Sequence, residues 1–181
     1  MLKIRNVVFA MAVASAMGGC MVDGEEGLAD VGTAESEIVF DGPVFGGSTG
    51  IPFHTNNYDP NDKIVGVTIR SAREIDGFTV RYASGRVEKF GGNGGDENQE
   101  FLLFPGEELV AIYGHSGARV DSLWLITSTG RVSQKYGGDG GENEFSYWIP
   151  AGAKVLGFQG RHKAPGPKGD RIHAIGLVGD R

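Results

Sequence analysis

One motif occurs three times in this chain of 181 residues: Phe45-Gly-Gly-Ser-Thr-Gly50, Phe90-Gly-Gly-Asn-Gly-Gly95 and Tyr136-Gly-Gly-Asp-Gly-Gly141. From aromatic to aromatic the spacings are 45 and 46 residues. Self-similarity at a long fixed period means one supersecondary unit repeated, each copy too small to bury its own apolar face. What surrounds the motif repeats as well. In the second unit, residues 101–104 lead through Pro105-Gly-Glu-Glu to the apolar run 109–113 and then to 120–124. In the third, residues 145–149 lead through Pro150-Ala-Gly-Ala to 155–158 and then to 172–176. Residues 64–69 and 75–78 are the counterparts in the first, and Ser84-Gly-Arg-Val87 and Thr129-Gly-Arg-Val132 are turns feeding the next motif.

These runs are short, β-branched and aromatic, and turn signals such as Ala83-Ser-Gly, Ser128-Thr-Gly, Pro105-Gly and Ala151-Gly separate them. No window keeps apolar residues at helical spacing between caps. The expectation is an all-β domain with three equivalent units of about four strands. Each unit forms one sheet around a pseudo-threefold axis, and the inner faces share one core.

The two ends of the chain read differently. Lys3 and Arg5 precede an apolar stretch over 7–17 that is too short to span a membrane, and the only cysteine, Cys20, follows Met17-Gly-Gly. This resembles a bacterial lipoprotein signal, with methionine where leucine is usual. The resemblance implies a signal peptide over 1–19, lipidation of Cys20, and a lipid-anchored protein of the outer membrane or cell surface. The alternative is an ordinary secretory signal with an incidental cysteine; either way the protein is exported. Residues 21–42 carry seven acids and no base, a solvated tether by composition. The remaining 139 residues, 43–181, suit one domain. They hold 15 Lys and Arg against 16 Asp and Glu, so they lack the basic field of a nucleic-acid binder. With a single cysteine in the chain, no internal disulfide supports the fold.

The Gly-Gly-x-Gly-Gly loops, the run Pro105-Gly-Glu-Glu-Leu-Val110, the stretch Gly117-Ala-Arg-Val-Asp-Ser-Leu-Trp-Leu-Ile-Thr127 and the closing His173-Ala-Ile-Gly-Leu177 together resemble the jacalin-related lectin family. The resemblance spans about residue 43 to the C-terminus. It implies the β-prism I fold, with three four-stranded Greek-key sheets, and a sugar-binding protein for mannose- or glucose-type hexoses. In that family a glycine-rich loop and a Gly-x-x-x-Asp loop hold the sugar. The aspartate accepts from adjacent hydroxyls, and backbone N–H groups donate to the same oxygens.

By that resemblance there are three candidate sites. Gly117, Ala118, Arg119 and Asp121 match the pattern fully and pair with Gly141. Arg73, Glu74 and Asp76 pair with Gly95, with Ala72 in place of the loop glycine and Glu74 placed to crowd or contact the ligand. Asp170, Arg171 and His173 pair with Gly50. Histidine cannot accept two hydroxyls as a carboxylate does, so this third site is either lost or reads something else, such as an acidic sugar. The aspartates also have a purely structural reading as turn caps ahead of strands.

Other chemistry finds no support in the residues. There is no Gly-x-Ser-x-Gly elbow, and His54, His115, His162 and His173 lack metal-ligand spacing. The glycine period is far from that of calcium-binding repeats. The pairs Glu107-Glu108 and Asp96-Glu97 read as solvated turn carboxylates; Trp124, Trp148 and the phenylalanines are of a kind that stacks on sugar rings, but strand position favours core packing for them. The expectation is therefore no enzyme, no cofactor and no metal. Glycans are the partner, and oligomers or dense display on a membrane raise avidity. The runner-up is a structural or protein-interaction β-prism that has lost sugar binding.

Overall fold

The structure, a computed structural model, describes residues 38–56, 58–163 and 169–181. Cys20, the signal peptide and most of the acidic tether lie outside the described residues. The described residues form fourteen strands in chain order: β1 (Val39–Asp41), β2 (Phe45–Gly46), β3 (Ile51–His54), β4 (Ile64–Ser71), β5 (Ile75–Tyr82), β6 (Val87–Gly91), β7 (Asp96–Glu97), β8 (Phe101–Leu102), β9 (Leu109–Ser116), β10 (Val120–Thr127), β11 (Tyr136–Gly137), β12 (Asn143–Trp148), β13 (Lys154–His162) and β14 (Ile172–Asp180). All pairings are antiparallel.

Each sheet is four strands wide. The first runs β6-β5-β4-β7, with β8 continuing the β7 edge along β4. The second runs β11-β10-β9-β12. Both are Greek keys, since the fourth strand returns beside the first. The third runs β1-β14-β13-β3, with β2 continuing the β1 edge along β14. Its spatial pattern is that of the other two, but it joins the two ends of the domain: its edges come from β1 to β3 and its central hairpin from β13 and β14. The domain therefore begins before residue 43. Val39 and Phe40 pair with Asp180 and Gly179, and Ile38 N–H donates to the Arg181 carbonyl at 2.9 Å. Composition hides this strand, because it is three residues long and its acidic flank reads as linker.

Every sheet packs against the other two. Period-two alternation sends one face of each inward: Ile69, Phe78 and Val80 from the first, Ile112, Leu123 and Leu125 from the second, Phe158, Ile175 and Leu177 from the third. The aromatic that opens a glycine motif reaches into a neighbouring sheet. Phe45 stacks on Phe145 at 4.9 Å, and Phe90 on Phe53 at 4.7 Å.

The motif itself has a steric cause. Its first and last glycines take positive φ in all three copies: Gly46 and Gly50, Gly91 and Gly95, Gly137 and Gly141. Its second glycine touches backbone of another sheet. A Cβ on Gly47 would come within 2.3 Å of the Ala118 carbonyl oxygen, one on Gly92 within 2.6 Å of the Asp170 oxygen, and one on Gly138 within 2.7 Å of the Arg73 oxygen. The three loops thus interlock in a ring that closes one end of the prism.

At the other end, two of the repeated turns are held by equivalent ion pairs. Arg86 Nε lies 3.1 Å from Asp62 Oδ2, and Arg131 Nη2 lies 2.5 Å from Glu107 Oε2. Glu107 is not a solvated turn residue: its side chain is 1% exposed. It accepts from Arg131, from the Thr127 and Thr129 hydroxyls at 2.5 and 2.7 Å, and from the Phe104 N–H at 2.9 Å. Glu97, by contrast, is exposed and pairs with Arg70 at 2.8 Å.

Candidate functional site

The closed end of the prism carries the three candidate loops, and a backbone irregularity aims each key residue. Between β4 and β5 the register passes from Ser71↔Ile75 to Arg70↔Gly77, which leaves Asp76 unpaired. Between β9 and β10 it passes from Val120↔Ser116 to Ser122↔His115, leaving Asp121 unpaired. Between β13 and β14 it passes from His162↔Ile172 to Arg161↔Ala174, leaving His173 unpaired. A bulge re-aims one side chain out of the sheet alternation. Here three bulges turn three side chains toward the glycine loops. Asp76 and Asp121 are therefore members of their strands and not caps ahead of them. The three connections close alike, with Ala72 N–H on the Glu74 carbonyl, Gly117 N–H on that of Arg119 and Lys163 N–H on that of Arg171, at 3.1, 2.9 and 2.9 Å.

The expected loop pairings form. Asp121 lies against Gly140 and Gly141, where added Cβ atoms would come 2.5 and 2.8 Å from its two carboxylate oxygens. Asp76 lies in the same way against Gly94 and Gly95, at 2.4 and 2.6 Å. A Cβ on Gly50 would meet His173 Nδ1 at 3.4 Å. In each case both loops belong to one sheet, although they fall in different sequence repeats. Gly117 takes no positive φ, and a Cβ there would come no nearer than 3.8 Å, so Ala72 at the equivalent place brings no strain.

The three places then diverge. Asp121 is half-buried, and no side chain among the described residues hydrogen-bonds its carboxylate. It lines an open depression of about 310 Å³ with Gly117, Ala118, Arg119, Gly141, Glu142, Asn143 and Glu74. Burial raises its carboxyl above the ordinary aspartate value, and the Glu74 charge adds to this. Arg119, on the rim of the same depression, is paired with Glu74, its Nη1 2.6 Å from Glu74 Oε1.

Asp76 is buried, 5% exposed, and already engaged: Arg171 Nε lies 3.5 Å from Asp76 Oδ1 and 3.3 Å from Glu74 Oε2. Its carboxyl is raised by burial, with Arg171 opposing. Arg73 is exposed and contributes backbone to the loop ring. Glu74 thus bridges Arg119 of the second sheet and Arg171 of the third. No sequence spacing signals this, because Arg171 lies 95 positions from Asp76.

The His173 place is filled from within. Its Nδ1 lies 2.9 Å from the Thr49 hydroxyl and 3.1 Å from the Thr49 carbonyl, and its buried Nε2 has no hydrogen-bond partner among the described residues. Asp170 turns inward, 8% exposed, with Oδ2 2.7 Å from His162 Nδ1. Residues 164–168 of the long basic connection lie outside the described residues. Among the described residues, no group of three His, Cys, Asp or Glu side chains is placed to hold a metal ion.

The jacalin-like lectin domain profile matches residues 43–178. The fold is similar to that of a mannose-binding jacalin-related lectin from Ananas comosus, at 26% identity over 78% of this chain and 96% of that one, with a TM-score of 0.63. A mannose-binding lectin from Champedak is similar at 26% identity over 78% and 96%, TM-score 0.64. Artocarpin in complex with mannopentose is similar at 25% identity over 78% and 97%, TM-score 0.64. No curated protein sequence is close enough to count as a match. Three interlocked glycine loops, three bulged residues beside them and a profile match across three quarters of its length place this chain in the jacalin-like lectin family, whose members bind carbohydrate and do not transform it.

Proposed function

We propose that this protein is a lectin for mannose- or glucose-type hexoses that binds through the Asp121 depression and is displayed on the cell envelope by a lipid on Cys20. The observation that carries the reading is the Asp121 carboxylate, the one of the three bulged groups that is both ionisable and free of a side-chain partner among the described residues. Two vicinal hydroxyls can donate to it, with the rim backbone of Gly117, Ala118 and Arg119 and the Gly141 backbone around them. Shallow single sites bind weakly, so crowding of anchored copies supplies avidity toward glycans on other cells or on the cell's own surface.

A glycan array probed with the protein on a multivalent support is the direct test. Binding concentrated on mannose- and glucose-terminated glycans is expected. A folded protein that binds none of the array sinks the lectin reading and leaves a β-prism used for protein contacts. For the anchor, Cys20→Ser is expected to move the protein from the detergent phase to the aqueous phase on phase separation. An unchanged partition would refute lipidation there.

Arg171 accounts for the second loop. Its guanidinium, 3.5 Å from Asp76 Oδ1, competes with ligand hydroxyls for that carboxylate, so Arg171→Ala is expected to raise the stoichiometry of hexose binding by calorimetry from one per chain to two. A stoichiometry that stays at one would mean that something other than Arg171 closes this place.

A further inference from the structure

The outer faces of the three sheets differ in chemistry. On the second sheet Tyr113 and Trp124 are register partners, with ring centroids 5.0 Å apart. His115 follows Tyr113 on the same face, 5.7 Å from it and 6.3 Å from Trp124. Trp148, on the neighbouring strand β12, also faces out and is 58% exposed. The bulges fix which positions correspond in the other sheets. Trp124 lies three residues past Asp121, as Thr79 does past Asp76 and Gly176 past His173. The register partners of those two are Thr68 and Gln159. One face is therefore aromatic where its two counterparts carry Thr with Thr and Gly with Gln.

The aromatic face lies below the open site. Trp124 is three residues along β10 from Asp121, about 10 Å at the rise of a strand. His115 sits between Ser122 and Glu144 in register, one step from the pair Ser116↔Asn143, and Asn143 lines the Asp121 depression. Polar groups border the rings: Ser146 opposite Tyr113, Glu144 opposite His115, and the Lys135 ammonium 5.6 Å from the Trp124 ring centroid. Lys135 also pairs with Asp139, whose side chain is 99% exposed, so it is tethered only to a solvated partner.

We infer that the outer face of the second sheet is a second binding surface, on which further pyranose rings of a glycan held at Asp121 stack against Trp124 and Tyr113. This rests on the Asp121 reading above. The C–H face of a pyranose is apolar and flat enough to lie on an aromatic ring, while its rim of hydroxyls needs polar partners at the edges. Trp and Tyr supply that contact area with few side-chain torsions to freeze. The ligand class is thus an oligosaccharide chain, with a terminal hexose at Asp121 and inner residues running down the sheet.

The test compares mannose and glucose with their linear tetrasaccharides by calorimetry, for the wild type and for Tyr113→Thr/Trp124→Thr. These threonines are the residues the first sheet carries at the same places, and a thermal melt checks the fold. Wild type is expected to bind the preferred tetrasaccharide about tenfold more tightly than its monosaccharide, and the variant to lose that gain while keeping monosaccharide affinity within twofold. In the wild type the tetrasaccharide, and not the monosaccharide, is expected to shift tryptophan fluorescence. A gain that survives in the variant, or no fluorescence shift, overturns the inference. So does a variant whose main change is loss of concentration-dependent self-association, which would make the face a contact between copies. If wild type binds the monosaccharide but gains nothing from the longer chain, the outer-face surface fails and the Asp121 site stands. If it binds neither sugar, the lectin reading fails as well.

Discussion

Asp121→Asn is expected to lower hexose affinity by about 10- to 100-fold while leaving the melting temperature nearly unchanged. The side chains are nearly isosteric, so contact with Gly140 and Gly141 is kept. What changes is that one acceptor oxygen becomes an NH₂ donor and the charge is lost. A hydrogen bond to a charged group is worth about 1.5–3 kcal/mol, and each 1.4 kcal/mol is tenfold in affinity. Asp76→Asn is expected to leave affinity within about twofold, because Arg171 already occupies that carboxylate. Calorimetry on both variants checks the contrast, and equal losses would contradict the assignment. The same carboxylate sets a pH dependence. Burial raises its pKa above the ordinary 3.8, and only the ionised form accepts from two hydroxyls. Binding is therefore expected to fall on acidification at a pH above that value.

Arg131→Ala is expected to destabilise the domain by about 3 kcal/mol, the usual cost of leaving a buried carboxylate without its partner. For a domain of this size that corresponds to about 10 °C in melting temperature. Glu107 is 1% exposed, and Arg131 is the largest cause holding its carboxyl far below the ordinary 4.5, with Phe104 N–H, Thr127 and Thr129 adding to it. A carboxyl depressed in the folded state stabilises the protein above its unfolded pKa, and that stability is lost as pH falls toward the folded value. The wild type is thus expected to lose stability progressively from about pH 4.5 downward, and the Arg131→Ala variant to show a flatter acid slope. Thermal melts between pH 2 and 7 read both effects. A melting temperature within about 2 °C of wild type at pH 7 would mean the pair is dispensable.

Much of the site is legible locally. The glycine motif constrains backbone at two positive-φ positions and one position of backbone contact, so its threefold recurrence reads directly as three equivalent loops. The loop pairings Gly141 with Asp121, Gly95 with Asp76 and Gly50 with His173 follow from the resemblance, and the geometry brings each pair together. Burial is less legible. Glu107 looks like a turn carboxylate because its partner arrives from the Thr-Gly-Arg turn 24 residues on. Trp124 and Trp148 look like core because they are large and lie in strands. Trp124 is put outside by its parity past the Asp121 bulge, and Trp148 by its register on β12, in step with Ser146 opposite Tyr113; an unpaired residue at Asp121 cannot be seen in a string of letters.

The number of units, the strand-forming runs and the chemistry of each loop are written in the order of the residues, because glycine conformation, β propensity and carboxylate identity act within a few positions. The third sheet is closed by strands from both ends of the domain, three bulges choose which side chains face the loops, and Arg171 reaches from a neighbouring sheet to Asp76. Those outcomes depend on which surfaces meet in space. Hence three loops that look alike in sequence end as one open carboxylate, one buried carboxylate paired with an arginine of a neighbouring sheet, and one histidine tied to its own glycine loop.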